Sequence, residues 1–240
     1  ATASMALRHI EKISEQTRKK VLEAARELQY YPNPFARSLV SKKSGTIGLI
    51  ITTITNPFYP ELAKGVEDKA KEMDYNMLLS SNDYSMENEK LCVNMLLNKG
   101  VDGLLISYVT TEDESLAELI DEEIPFVLIN RQVRMKKYEN KYDYVGMDNF
   151  QGAYLMMEHL HEMGHRNICI IAGDPKISTT LERLEGAEAF LKDQGIKLDR
   201  EMIFMCNYSR QKAYEETKKI ISSKPDTTAI FSHNDHMALG

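Results

Sequence analysis

Five places in this 240-residue chain set side chains that can grip a polar small molecule just beyond an apolar run. Phe58 and Tyr59 follow the run 46–51 through Asn56-Pro57. Arg131 closes Val127-Leu-Ile-Asn-Arg. Arg183 lies early in a helical stretch after Gly173-Asp174. Tyr208 follows the run 202–205, and Asn234 and Asp235 follow Phe231. Aromatic rings stack on the apolar face of a sugar or base, while polar groups fix its hydroxyls, so this mixture suits a hydroxyl-rich ligand. Bond-breaking chemistry is not indicated. The chain has no GxGxxG, GxxxxGK[ST] or GxSxG, and no strand end gathers a nucleophile with a base.

Metal and disulfide chemistry are not expected either. Cys92, Cys169 and Cys206 are odd in number, widely spaced and without a CxxC, which reads as buried thiols. His161 and His165 have an i,i+4 spacing, but Gly164 breaks the helix between them, so no metal ligands and no cofactor are predicted. No apolar run approaches the roughly 20 residues of a membrane span, and no basic-then-apolar signal segment opens the chain.

The elements that would position these residues follow a repeating order. From Thr46 onward, apolar runs at 47–51, 77–79, 103–106, 126–129, 144–146, 168–171, 202–205 and 229–231 read as strands. Helical patterns lie between them at 60–73, 86–98, 116–122, 150–163, 181–194 and 210–222. Strands alternating with helices of this length imply parallel sheets, whose ligands bind beyond the carboxyl ends of the strands. The connection 135–143, rich in Lys and Tyr, marks a boundary before the second βα run. Two doubly wound lobes facing a cleft are therefore predicted. For single residues other roles stay open: Asp235 could cap its helix, and Arg131 could form an ion pair between the lobes.

The first 44 residues differ in character. Residues 1–43 carry nine Lys or Arg against four Glu, net +5, whereas the remainder carries 21 basic and 32 acidic residues, net −11. A basic end on an acidic chain is a local electrostatic footprint, although charge alone fits a solvated helix equally well. Ser14 caps a predicted helix over 15–29, with Val21, Leu22, Ala25 and Leu28 as its core stripe. After Tyr31-Pro-Asn-Pro34 comes one short helix, Phe35-Ala-Arg-Ser-Leu-Val40, with Asn33 as N-cap and Pro34 at the first helical position. Two turns are marginal alone in water, so this helix should form only against DNA or a dimer mate. The chain opens without Met inside a helical stretch and stops where a helix opened by Asn234-Asp235 should continue. It reads as a piece of a longer protein.

Nine segments, in order, give the chain a family resemblance: Thr2-Ala-Ser4, Ile13–Val21, Tyr31–Leu39, Gly45–Leu49, Asn56-Pro-Phe-Tyr59, Lys99–Gly103, Asp148-Asn149, Gly164–Ile168 and Asn234–Gly240. Together they resemble the lactose/galactose-repressor (LacI/GalR-type) family of bacterial transcription regulators. The resemblance implies an α/β fold: a two-lobed core like that of periplasmic binding proteins, made of doubly wound parallel sheets. A partial all-α helix-turn-helix headpiece and a hinge helix would precede it. The corresponding parts would be 1–32 (headpiece), 33–44 (hinge helix and linker), 45–147 (first lobe) and 148–240 (second lobe), both lobes incomplete.

The resemblance also implies partners: double-stranded operator DNA, a small-molecule effector such as a sugar, and a second copy in a homodimer. Cytoplasmic, nucleoid-associated work and repression are the expected setting and outcome. Ala1 and Met5 would read bases, Thr2 and Ser4 would contact phosphate, and Met5 replaces a frequent Arg, which puts the usual operator sequence in doubt. Asn33, Ala36, Arg37 and Leu39 would meet DNA from the hinge helix, with Leu39 as a minor-groove wedge or else a packing residue. Phe58, Tyr59, Arg131, Arg183, Tyr208, Asn234 and Asp235 would line the effector site. A sugar-binding protein without DNA function fits residues 45–240 on fold alone, but not the basic headpiece.

Overall fold

The computed structural model describes residues 6, 13–30, 43–107, 110–111 and 116–240. The chain divides into two compact units, Ala1–Ser44 and Gly45–Gly240. The DNA-contact residues expected at Ala1, Thr2, Ser4, Met5, Asn33, Ala36, Arg37 and Leu39 lie outside the described residues, as does the hinge helix itself.

In the first unit, helix α1 runs Glu15–Glu27. Ser14 starts it: its Oγ accepts from Thr17 N at 3.3 Å, satisfying one of the free first-turn amides. The expected stripe is only partly formed. Val21, Leu22 and Ala25 are half-buried, while Leu28 lies past the last helical residue as C-cap and is exposed.

The second unit holds two wholly parallel sheets. The first has order β2-β1-β3-β4-β5, from β1 (Thr46–Ile51), β2 (Asn76–Ser81), β3 (Leu104–Ile106), β4 (Phe126–Ile129) and β5 (Asp143–Val145). The second has order β7-β6-β8, from β6 (Ile168–Ala172), β7 (Ile203–Met205) and β8 (Ala229–Ser232). Helices α2 (Phe58–Glu72), α3 (Met86–Asn98) and α4 (Leu116–Asp121) accompany the first sheet. Helices α5 (Asn149–Glu162), α6 (Ser178–Asp193), α7 (Arg210–Ser223) and the short α8 (Asp235–Ala238) accompany the second.

Successive strand residues point to opposite faces, so each sheet supports two cores. Leu49 and Ile51 of β1 pack with Tyr59 and Ala63 of α2, whereas Ile50 packs with Leu96 of α3 and Leu116 and Leu119 of α4. In β6, Cys169 and Ile171 face Ala213 and Ile220 of α7, while Ile170 and Ala172 face Ala153, Met157, Ala187 and Phe190 of α5 and α6. All three cysteines are free and buried, and burial pushes the Cys206 thiol up to about 11.

Two expectations change. The 135–143 connection is not a divider: Val133 and Tyr138 are buried in the first core, and β5 still pairs with β4. The chain leaves the first sheet after Val145 and enters α5 at Asn149. Helix α6 also starts three residues before the expected Leu181, because Ser178, Thr179 and Thr180 are buried and hydrogen-bonded, Ser178 to Gln132 and both threonines to Tyr208, despite their weak helix propensity.

Candidate functional site

Phe58, Tyr59, Arg131, Arg183, Tyr208, Asn234 and Asp235 all border one cleft of about 610 Å³. Phe58 and Tyr59 come from the first turn of α2, behind β1, and Arg131 follows β4. Arg183 comes from the second turn of α6, Tyr208 follows β7, and Asn234 and Asp235 follow β8. Local backbone geometry does the aiming. Asn130 takes φ +61° and Arg131 N donates back to Ile129 O at 2.6 Å, a three-residue turn that swings Arg131 off the strand axis. Asn is among the few residues that tolerate that backbone region.

Tyr208 is placed the same way. Asn207 and Tyr208 have φ of +52° and +58°, and the Tyr208 hydroxyl hydrogen-bonds to Thr179 Oγ1 at 2.9 Å and Thr180 Oγ1 at 2.8 Å. Gly173 leaves room for the ring, since a Cβ there would stand 2.3 Å from Tyr208 carbons. The same device occurs in the first sheet, where Asp83 and Tyr84 after β2 have φ of +49° and +61°. The two tyrosines flank one cation: Arg131 Cζ lies 5.4 Å from the Tyr84 ring centroid and 5.5 Å from that of Tyr208. Burial raises the Tyr84 phenol, opposed by the nearby Arg131 charge.

Arg183 is held by the second lobe. Its Nε donates to Asn149 Oδ1 at 3.0 Å and its Nη1 to the His233 carbonyl. Asn149 Nδ2 donates in turn to Glu182 Oε2 at 2.8 Å, and Gln132 Nε2 from the β4–β5 segment donates to Glu182 Oε1 at 2.8 Å. The Gln132 amide donates to Ser178 Oγ at 3.0 Å. The buried Glu182 carboxylate thus joins the two sheets beside the cleft. A more exposed pair, Arg134 to Glu185 at 2.7 and 2.8 Å, reinforces the join.

The remaining expected residues take different places on the wall. Tyr59 is 2% exposed: its ring belongs to the α2 core and its hydroxyl accepts from Asn130 Nδ2 at 3.4 Å. Phe58 is half-buried and meets Tyr59 edge-on, with ring centroids 5.1 Å apart. Asn234, not Asp235, caps α8, its Oδ1 accepting from Met237 N at 2.9 Å. Asp235 is exposed at the rim, and no ion pair of Arg131 occurs among the described residues.

Sequence reading missed Tyr84, Arg210 and His233, which also line the cleft. The signal for Tyr84 was a repeat: Asp83-Tyr84-Ser85 and Asn207-Tyr208-Ser209 each follow a strand by one residue, and each Ser caps the next helix. His233 is buried with neither ring nitrogen hydrogen-bonded, and burial, aided by the Arg183 charge, pushes its pKa down to about 3. It is therefore a neutral imidazole at physiological pH.

The run His161-Glu-Met-Gly-His165 spells the H-E-x-x-H pattern of zinc sites, a match to be set against the expectation of no metal. That chemistry needs both His on one helix face. Helix α5 ends at Glu162 and Gly164 takes φ +93°, so His165 lies beyond it. Among the described residues no three His, Cys, Asp or Glu side chains are grouped to hold a metal, and no helix is long and apolar enough to cross a membrane. A second hollow, about 600 Å³, lies at the amino ends of the first sheet's strands, walled by Ile47, Leu62, Val66, Ala70, Met73 and Leu105. Its apolar lining and its position at the wrong strand ends set it apart from the cleft.

Two parallel sheets whose carboxyl ends meet at a polar, aromatic-lined cleft define a ligand-binding core of the periplasmic-binding type. Comparison with known proteins agrees. Residues 44–240 match the family described as periplasmic binding proteins and sugar binding domain of LacI family, and residues 1–33 match bacterial regulatory proteins, lacI family. The chain is 33% identical to catabolite control protein A of Priestia megaterium over 100% of its own length and 71% of that protein's. Among solved structures, the transcriptional regulator CelR–cellobiose complex is 25% identical, with a TM-score of 0.72 over 98% of this chain and 70% of that one. The Lac repressor bound to ONPG shares the fold with a TM-score of 0.85 at 24% identity, covering 100% of this chain and 71% of that one. The chain belongs to the LacI family of bacterial regulatory proteins. It is a DNA-binding transcription regulator, not an enzyme and not a binding protein without DNA function.

Proposed function

We propose that this regulator is a repressor whose hold on operator DNA is set by a sugar or sugar derivative bound at the cleft between its two sheets. The observation that carries this reading is the convergence of seven side chains from five strand ends, belonging to both sheets, on one 610 Å³ cleft. A site built from both sheets binds more tightly in one relative arrangement of them, so a ligand there shifts that equilibrium. The CelR relative is a regulator in complex with cellobiose, which supports a carbohydrate here. On this reading residues 1–32 form the headpiece, 33–44 the hinge, and 45–147 and 148–240 the lobes. The protein acts as a homodimer in the bacterial cytoplasm, on the nucleoid. Ala1, Thr2, Ser4, Met5, Asn33, Ala36, Arg37 and Leu39 make its DNA contacts.

Arg183→Ala tests the effector site. Operator titrations of wild type should shift when an effective sugar is added, and those of Arg183→Ala should not, while both proteins bind operator equally in its absence. The variant leaves Asn149 Oδ1 and the His233 carbonyl without their partner, so its melting curve must be shown to be cooperative first. Undiminished sugar affinity in calorimetry would remove Arg183 from the site.

A further inference from the structure

Arg131 is 4% exposed, yet its Nε and Nη1 are shut from solvent with no hydrogen-bond partner. The Tyr84 and Tyr208 rings both stabilise the guanidinium charge. They do not accept the N–H groups that project from its edge. A permanent charge out of water with unused donors is costly unless a counter-charge supplies acceptors. Among the described residues none is supplied: the cleft's carboxylates there, Glu61 and Asp235, are exposed at its rim, and no carboxylate pairs with Arg131. Arg183 and Arg210 add two further positive charges to the wall, while His233 adds none. Two tyrosines set by matching left-handed turns in the two sheets make this a built socket around one cation.

Resting on the reading that the cleft holds the effector, we propose that the effector is an anionic sugar, a hexose phosphate or a sugar acid, with its charged oxygens against the edge of Arg131 between Tyr84 and Tyr208. Both anions offer the acceptors that the unused Nε and Nη1 require, through short charge-assisted hydrogen bonds. The cleft's volume leaves room for the sugar ring beside them.

Calorimetric titration of the purified protein with matched series decides the matter. The series are glucose, glucose 6-phosphate and glucuronate; galactose, galactose 6-phosphate and galacturonate; and fructose with fructose 1-phosphate, with inorganic phosphate as the minimal probe. At least one charged sugar should bind tenfold or more tightly than its neutral parent, and the winning class tells phosphate from carboxylate. Arg131→Gln should bring that ratio near one, and Arg131→Lys should keep part of it. Should the Gln variant fail to melt cooperatively, the ratio on wild type and the Lys variant still decides. A neutral parent that binds as tightly as its charged derivatives overturns the proposal and leaves the effector reading standing. Phosphate that binds alone, with no gain from an attached ring, overturns the sugar part. If no sugar of any class binds, both fall.

Discussion

His233 shows how one buried side chain ties stability to pH. Its ring packs against Phe231 with centroids 5.3 Å apart, and its pKa of about 3 in the fold compares with an ordinary 6.5. As pH falls below 6.5 the unfolded chain takes up this proton and the folded chain does not. Stability is therefore present above 6.5 and is lost progressively as pH falls toward 3, at no more than about 1.4 kcal/mol per pH unit from this group. His233→Gln removes the linkage. Chemical denaturation at several pH values between 7 and 5 should show a steeper loss for wild type than for the variant; parallel curves would mean that His233 protonates freely in the fold.

Between elements, the tightest join is that of α5 and α6. A Cβ on Gly186 would stand 2.1 Å from the Phe150 carbonyl oxygen and 3.2 Å from the Ala153 Cβ, so the helices approach to backbone contact there. Gly186→Ala must push them apart, at about 1–3 kcal/mol despite alanine's better helix propensity. A variant as stable as wild type in urea would contradict that close approach. All eight strands and this helix pair were legible in the sequence, because β-branched runs and 3.6-residue spacing are local signals. The first turn of α6, Ser178-Thr-Thr180, was not legible, because its hydrogen bonds to Gln132 and Tyr208 are tertiary contacts. The connection 135–143 read as a divider because its Lys and Tyr look like a surface linker, while Tyr138 in fact inserts into the first core. Seven cleft residues were legible as strand-end groups. The grouping of Tyr84 and Tyr208 on Arg131 was not, since it joins residues 47 and 77 positions away that only folding brings together.

Across the whole second unit, the Glu182 carboxylate fixes how the two sheets stand to one another. Glu182→Leu leaves the Gln132 side-chain amide without its acceptor and the Asn149 amide with the Met147 carbonyl alone, and should cost about 1–3 kcal/mol. Coupling in a double-mutant cycle with Gln132→Ala should be positive and near 1 kcal/mol, as expected for direct partners. Strict additivity would show that the contact is energetically idle. An effector that bridges both sheets should recover part of the loss, because a ligand at about 100 times its dissociation constant adds roughly 2.7 kcal/mol to the folded state.

Every side chain that borders the cleft lies beyond the last residue of a strand or in the opening turns of a helix, and none belongs to the interior of either sheet. The parts that choose a ligand are thereby separate from the parts that hold the fold. Over generations, the segments after β1, β2, β4, β5, β6, β7 and β8 could be rewritten to recognise a different small molecule while the hydrophobic layers beneath them stayed as they are. Exchanging those seven segments for the matching ones of a relative should transfer its ligand preference without a new folding problem to solve.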